Sequence, residues 1–131
     1  MAAIPIPLIN LEAYVLYFFP KINSFLCHKE VLEFERLYSQ FQQFNFELVG
    51  ATPSPNEDIQ EYIQEHNITH QIISDTDGFL HDYFEATGLS HRKTVVVFRN
   101  SIIDTIVNPL SGTYHATKAL EIVKSFVNHS H

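Results

Sequence analysis

Residues 14–34 read YVLYFFPKINSFLCHKEVLEF, and this stretch sets the arrangement around which the rest of the chain is organised. It opens with an apolar, aromatic run that ends at Pro20 and continues into a segment with helical periodicity. A short, continuously apolar run is typical of a central strand that is covered on both faces. The pattern therefore predicts a buried strand, a turn and a helix, with Cys27, the chain's only cysteine, in the first turn of that helix.

A cysteine at this position has a specific electrostatic environment. The start of a helix carries unpaired N–H groups and partial positive charge, which favour the nucleophilic thiolate. The helix dipole typically contributes about 0.3–1 kcal/mol, whereas half-ionisation of a free thiol at pH 7 needs roughly 2 kcal/mol. A nearby cation must supply the rest. Arg92 is the candidate, because its loop is predicted to lie at the same end of the sheet as the turn before Cys27.

The spacing around Cys27 is similar to that of a known enzyme family. Residues 20–27, PKINSFLC, have the pattern P-x-x-x-S-x-x-C; Glu30 and Phe34 follow the cysteine, and Arg-Lys-Thr at residues 92–94 precedes the apolar run VVVF. These features resemble the peroxiredoxins of the alkyl hydroperoxide reductase and thiol-specific antioxidant superfamily. The similarity is greatest to the bacterioferritin-comigratory-protein group, and it extends from about residue 14 to the C terminus.

The resemblance implies a thiol-dependent peroxidase and assigns roles to four residues. The Cys27 thiolate would attack the O–O bond of hydrogen peroxide or an organic hydroperoxide, which yields a sulfenic acid and water or an alcohol. The Ser24 hydroxyl would align the peroxide, and Pro20 would shield the thiolate from water. Arg92 would hold the peroxide oxygens with its planar guanidinium group.

Each of these residues also has a purely structural interpretation. Cys27 could be a buried, unreactive cysteine, Ser24 only a helix N-cap and Arg92 a surface salt-bridge partner. Glu30 could be a solvated helix residue or a contact of Arg92. The alternative function is then a catalytically weak thioredoxin-fold module that binds a partner or senses oxidant through Cys27.

The chain departs from the family pattern at three places. Phe25 and Leu26 stand where many members have Pro-Gly, and these bulky side chains are expected to narrow or cover the pocket. Leu32 stands where some relatives carry a resolving cysteine, so oxidised Cys27 is expected to need an external thiol reductant such as thioredoxin, glutaredoxin or glutathione. Only 13 residues precede Tyr14, so the family's amino-terminal hairpin is expected to be missing or very short.

The remaining sequence predicts a thioredoxin-like α/β fold in a single domain of residues 1–131, with a mixed central sheet and helices on both faces. Strands are predicted over residues 13–19, 46–51, 70–74, 94–98 and 102–107, and helices over residues 27–44, 55–66, 79–87 and 114–127. Ser54 is the predicted N-cap of the second helix and forms a capping box with Glu57. Thr113 is the predicted cap of the last helix, and Gly88 is the predicted stop of the third.

Composition limits the partners and the compartment. A net charge of −7 argues against nucleic acids and anionic membranes, since both need a basic face. One cysteine cannot form an intrachain disulfide, and no signal peptide or membrane span is recognisable, so a cytoplasmic location is expected.

The eight histidines do not complete a set of metal ligands, so neither a metal nor another cofactor is expected. The chain is expected to be a monomer or a homodimer.

Overall fold

A computed structural model describes residues 8, 10–87, 92–107 and 112–129, with the backbone alone at residues 112 and 113. The elements follow the predicted order. The strands are β1 (Ala13–Phe18), β2 (Glu47–Thr52), β3 (Gln71–Ser74), β4 (Lys93–Phe98) and β5 (Ser101–Val107), and the helices are α1 (Phe25–Gln43), α2 (Asn56–His66), α3 (Phe79–Tyr83) and α4 (Gly112–His129). In these described ranges, no helix combines the length and the apolar character that a membrane crossing requires.

The five strands form one mixed sheet in the order β3-β2-β1-β4-β5. β1 and β2 are parallel, as are β2 and β3, whereas β4 is antiparallel to both β1 and β5. At the centre, Leu16 is paired with Val49 on one side and Val95 on the other. The turn between β4 and β5 places Arg99 and Asn100 at φ values of 49° and 66°, as a tight hairpin of this type requires. The mixed sheet that the sequence predicts is therefore confirmed.

Alternate residues of β1 face two different cores. Val15 and Tyr17 point towards α1, α2 and α4, and α1 also packs against α4. Leu16 and Phe18 point to the opposite face, where Leu80 of α3 packs against the sheet. Since every residue of β1 is buried, the strand is covered on both sides, as its apolar run predicts.

The start of α2 differs from the prediction. The helix begins at Asn56, its N-cap residue is Pro55, and no side chain caps it. The predicted capping box of Ser54 and Glu57 is therefore wrong. The Ser54 hydroxyl instead accepts a hydrogen bond of 2.9 Å from the backbone N–H of Ile22, which is 32 positions away in the sequence. Ser54 thus connects the loop before α2 to the loop before α1.

Two other helix boundaries also differ from the prediction. α3 ends at Tyr83 instead of residue 87, and Glu85 soon afterwards takes a left-handed φ of 56° that cannot continue a helix. The predicted stop at Gly88 lies outside the described residues. α4 begins before Thr113, so this threonine lies in the first turn and is not the cap.

Candidate active site

Cys27 lies in the first turn of α1, directly after the loop that leaves β1. Ser24 occupies the N-cap position with an extended backbone, and Asn23 before it has a left-handed φ of 64°. Helical spacing places Cys27 on the same inward stripe as Glu30 and Val31. The cysteine is consequently only 1% exposed and belongs to the main core.

Arg92 reaches Cys27 from the residue before β4. Its Nη2 atom donates to Cys27 Sγ at 3.4 Å, and its Nη1 atom donates to Glu30 Oε1 at 2.5 Å. The arginine is 4% exposed and Glu30 is fully buried, so water screens these charges little. A guanidinium group held in this way directly favours the Cys27 thiolate.

The protonation of Glu30 affects how much of this positive charge the thiol experiences. Burial raises the pKa of Glu30 to about 8, because contact with Arg92 offsets only part of the cost of burying the carboxylate. Its Oε2 atom has no hydrogen-bond partner within the described residues. Burial acts to lower the pKa of Arg92, but the neighbouring Glu30 and Cys27 act in the other direction, and the net effect is a raised pKa. Burial thus favours the neutral form of Glu30, and a neutral carboxyl would leave more of the guanidinium charge to the thiolate than a carboxylate would.

Ser24 and Pro20 lie in the same loop, but neither is hydrogen-bonded to the thiol. The Ser24 hydroxyl donates to the Lys21 carbonyl at 3.2 Å, and α1 has no side-chain cap. Ser24 is therefore the N-cap residue of α1, as the structural interpretation has it, but its side chain makes no capping hydrogen bond. Pro20 follows β1 and is exposed. Their roles in aligning and shielding a peroxide remain predictions.

Phe25 and Leu26 point outward. They are 73% and 53% exposed, and the Lys29 ammonium lies 4.5 Å above the Phe25 ring. The expectation that these two side chains narrow or cover the pocket stays a prediction. Cys27 is buried because its own side of α1 faces the core, so the bulky pair flanks the site on the surface.

Two side chains to which the sequence assigns no role at this site are hydrogen-bonded to the segment around Cys27. Ser54 accepts from the Ile22 N–H, and the Tyr62 hydroxyl is hydrogen-bonded to His28 Nδ1 at 2.7 Å. Burial raises the pKa of Tyr62 to about 12, and the charge of Cys27 adds to this effect. Local periodicity carries no signal for these pairings, because the partners are more than thirty residues apart.

A buried polar network supports α1 from the side of the sheet. The Tyr17 hydroxyl is 2.5 Å from His70 Nε2, and His70 Nδ1 is 2.7 Å from Glu35 Oε1. Burial opposes the charge of Glu35, but hydrogen bonds from His70 and Thr69 lower the pKa of this carboxyl to about 2. The Tyr17 ring lies across Gly50, where a Cβ atom would come within 2.7 Å of the ring. Gly50 is therefore required for this position of Tyr17.

The threonine of the Arg-Lys-Thr motif faces α4. Thr94 Oγ1 is 2.7 Å from Nδ1 of His115, and both side chains are buried. This contact fixes the strand that follows Arg92 against the last helix. Over the part of the chain that the structure describes, no group of three or more histidine, cysteine or acidic side chains could hold a metal ion.

Comparison with known proteins gives matches over most of the chain. The model of the AhpC/TSA family matches residues 8–106. A Helicobacter pylori (strain J99) protein assigned as peroxiredoxin bcp is 26% identical over 117 residues, which cover 82% of this chain and 77% of that protein. The alkyl hydroperoxide reductase C of Buchnera aphidicola is 25% identical over 136 residues, which cover 92% of this chain and 68% of that protein.

Solved structures share the same architecture. The crystal structure of peroxidoxin BcpB from Mycobacterium tuberculosis has a TM-score of 0.79 at 25% identity and covers 86% of this chain and 79% of that one. A cysteine-to-serine mutant of PrxQ from Xylella fastidiosa has a TM-score of 0.81 at 24% identity and covers 88% of this chain and 77% of that one. The second similarity establishes the thioredoxin-like fold alone.

Proposed function

Since this chain belongs to the AhpC/TSA family and is a thiol peroxidase of the peroxiredoxin type, we propose that Cys27 is the residue that the hydroperoxide oxidises. The observation that carries the proposal is the 3.4 Å distance between Arg92 Nη2 and Cys27 Sγ in a buried site. A cation at this distance favours the thiolate and offers N–H donors to the oxygens of a bound hydroperoxide. Both effects lower the barrier to attack on an O–O bond.

The proposed reaction transfers one oxygen to sulfur. The thiolate attacks the terminal oxygen of the hydroperoxide, which is the oxygen bonded to hydrogen; an S–O bond forms and the O–O bond breaks. Cys27 is oxidised to the sulfenic acid, and the hydroperoxide is reduced to an alkoxide or hydroxide, which takes a proton from water. Arg92 would stabilise the negative charge that develops on the leaving oxygen. Ser24 would align the hydroperoxide, and Pro20 would limit the access of water.

We further propose one-cysteine recycling by an external thiol. The sulfenic acid condenses with a thiol to form a mixed disulfide and water, and a second thiol then releases reduced Cys27. The proposal is supported by Leu32 at the position where a resolving cysteine could stand and by the lack of a second cysteine in the sequence. Thioredoxin, glutaredoxin and glutathione are the reductant classes considered. A cytoplasmic location, where such thiols are kept reduced, fits this scheme.

The direct test is the Cys27→Ser variant, assayed for hydrogen peroxide and cumene hydroperoxide consumption with dithiothreitol as reductant. We expect complete loss of protein-dependent consumption, because the chain has no other thiol. Circular dichroism should show an intact fold, since serine is close to cysteine in size. A serine variant that keeps its activity would exclude the proposed role of Cys27. A wild-type protein that consumes no peroxide would instead favour the sensing or partner-binding module.

A further inference from the structure

Three ionisable side chains form one buried cluster at the start of α1. Cys27 and Glu30 stand three positions apart on the same face of the helix, and Arg92 is hydrogen-bonded to both of them. The three residues are 1%, 0% and 4% exposed, so little water reaches the cluster. Its charges must therefore be compensated largely from within.

The single guanidinium group of the cluster can compensate one anion. If the thiol and the carboxyl were both ionised, one buried negative charge would be left uncompensated, which is strongly unfavourable. Burial acts in the same direction, since it raises the pKa of Glu30. The phenols of Tyr17 and Tyr62 add no charge, because burial raises the pKa of both above the ordinary value. When Cys27 is a thiolate, Glu30 is consequently the group that holds the proton.

One oxygen of the Glu30 carboxyl is available for that proton. Oε1 accepts from Arg92 Nη1, whereas Oε2 has no hydrogen-bond partner among the described residues. A buried O–H group without an acceptor is unfavourable, and such groups normally have a partner. The guanidinium group that binds Oε1 also binds the sulfur, so an oxygen that enters beside the sulfur arrives next to this carboxyl. The entering oxygen can thus be the acceptor that Oε2 lacks.

The proposed reaction needs a proton at this place, and the inference that follows rests on that proposed function. When the O–O bond breaks, the leaving oxygen becomes an alkoxide or hydroxide, which is a strong base. Water is one source of its proton, but the cluster is almost closed to water. An acid that is held beside the leaving oxygen lowers the barrier, because it protonates this oxygen while the bond breaks.

We propose that Glu30 is the acid that protonates the leaving oxygen. First, the thiol proton is transferred to the Glu30 carboxylate, which leaves Cys27 as the thiolate. The thiolate then attacks the terminal oxygen of the hydroperoxide; the S–O bond forms, the O–O bond breaks, and the proton on Glu30 passes to the leaving oxygen. The products are the sulfenic acid, an alcohol or water, and a carboxylate that is paired with Arg92. One cation and one anion are present at each stage.

The test compares the wild type with Glu30→Gln, which lacks the acid but has nearly the same size. Cys27 is oxidised at neutral pH by ethyl hydroperoxide or by peracetic acid, which are similar in size, and the products are followed by acid quench and intact mass. Ethyl hydroperoxide releases ethoxide, which needs a proton, whereas peracetic acid releases acetate, a weak base that needs none. In the variant, oxidation by ethyl hydroperoxide should slow about 100-fold, and oxidation by peracetic acid should keep nearly the wild-type rate.

Two controls separate proton donation from a change in the thiolate. Alkylation by iodoacetamide releases iodide, which needs no proton, so Glu30→Gln should be alkylated at least as fast as the wild type. Glu33→Gln makes the same change on α1 in a carboxylate that is paired with Arg36, and it should behave like the wild type in all three assays. If Glu30→Gln does not fold, Glu30→Met replaces it, because methionine also lacks the acid and buries no polar group.

Three outcomes would overturn the inference. Equal slowing with ethyl hydroperoxide and peracetic acid would show that Glu30 acts only through the position of Arg92. Slower alkylation in Glu30→Gln, by the same factor as oxidation, would place the defect in the thiolate. An unchanged rate with ethyl hydroperoxide would show that the proton has another source. A wild type in which Cys27 reacts with ethyl hydroperoxide no faster than free cysteine would instead contradict the proposed function itself, so the two failures are distinguishable.

Discussion

Arg92 divides the donors of one guanidinium group between a thiol and a carboxyl. Because Glu30 holds Nη1, the planar group directs Nη2 at Cys27 Sγ. A lysine has a single flexible ammonium group and could not reproduce this fixed geometry. The site therefore depends on the shape of the arginine as well as on its charge.

We expect Arg92→Ala to shift the pH dependence of Cys27 alkylation. Because an opposite charge this close favours the thiolate, its loss should move the midpoint of the rate profile to higher pH. Peroxide reduction should slow by about two orders of magnitude, because a donor to the leaving oxygen is also lost. Arg36→Ala, which removes a surface arginine paired with Glu33, is the control. Identical midpoints in the wild type and both variants would rule out this role of Arg92.

Glu30 should make the protein less stable as the pH rises. Its pKa of about 8 in the folded protein lies above the ordinary value of 4.5, so between these pH values folding takes up a proton. The free energy of unfolding should therefore decrease from about pH 4.5 to about pH 8. Urea unfolding at a series of pH values would show this slope in the wild type and its loss in Glu30→Gln. Glu33→Gln should keep the slope, because contact with Arg36 lowers the pKa of Glu33; equal slopes in the wild type and Glu30→Gln would contradict the assignment.

Among the elements, β2 shows how a single glycine supports the helix that carries the thiol. Gly50 gives the Tyr17 ring room to stack on Phe34 of α1, with ring centroids 3.9 Å apart, and to reach His70. We expect Gly50→Ala to lower the free energy of unfolding by about 1–3 kcal/mol, the usual effect of overpacking a core. Chemical denaturation would measure the change.

A double mutant tests the cause of this destabilisation. In a Tyr17→Val background the methyl group added by Gly50→Ala no longer meets the aromatic ring. The substitution should therefore lower the free energy of unfolding much less than it does in the wild type. If Gly50→Ala lowers the free energy of unfolding equally in both backgrounds, the destabilisation does not come from the contact with Tyr17.

The elements that the sequence predicts well are those whose signal is local. The apolar run of β1 and the helical stripe of α1 each define their element within one stretch, and the structure has both. The capping box at Ser54 fails because the hydroxyl is used by Ile22, and no local pattern shows a partner so far away. The bond between Tyr62 and His28 has no local signal for the same reason. The approach of Arg92 to Cys27 could be anticipated from topology, and contact between Arg92 and Glu30 was one of two interpretations of Glu30. The complete burial of Glu30 depends on side-chain packing, which the sequence does not show.

For the whole molecule, the presence of one cysteine determines the oxidation products. With excess peroxide, we expect the mass of the monomer to increase by one oxygen and then by two or three, since no second thiol in the chain can form an intramolecular disulfide. Glutathione added with the peroxide should convert the first product into a mixed disulfide. Intact mass spectrometry resolves these states. If the protein keeps the mass of its reduced form under conditions that oxidise free cysteine, Cys27 is unreactive.

The hydrogen bond between Ile22 and Ser54 also makes one backbone amide a reporter of the site. This N–H is bonded to a side chain and not to a strand or helix, so it becomes accessible to solvent whenever the loop before α1 moves away from Ser54. Its deuterium uptake, followed by NMR in the reduced protein, would measure the free energy of that local movement without labelling the sulfur. The amide of Leu16, which lies in the central strand between Val49 and Val95, would provide a slowly exchanging reference in the same spectrum.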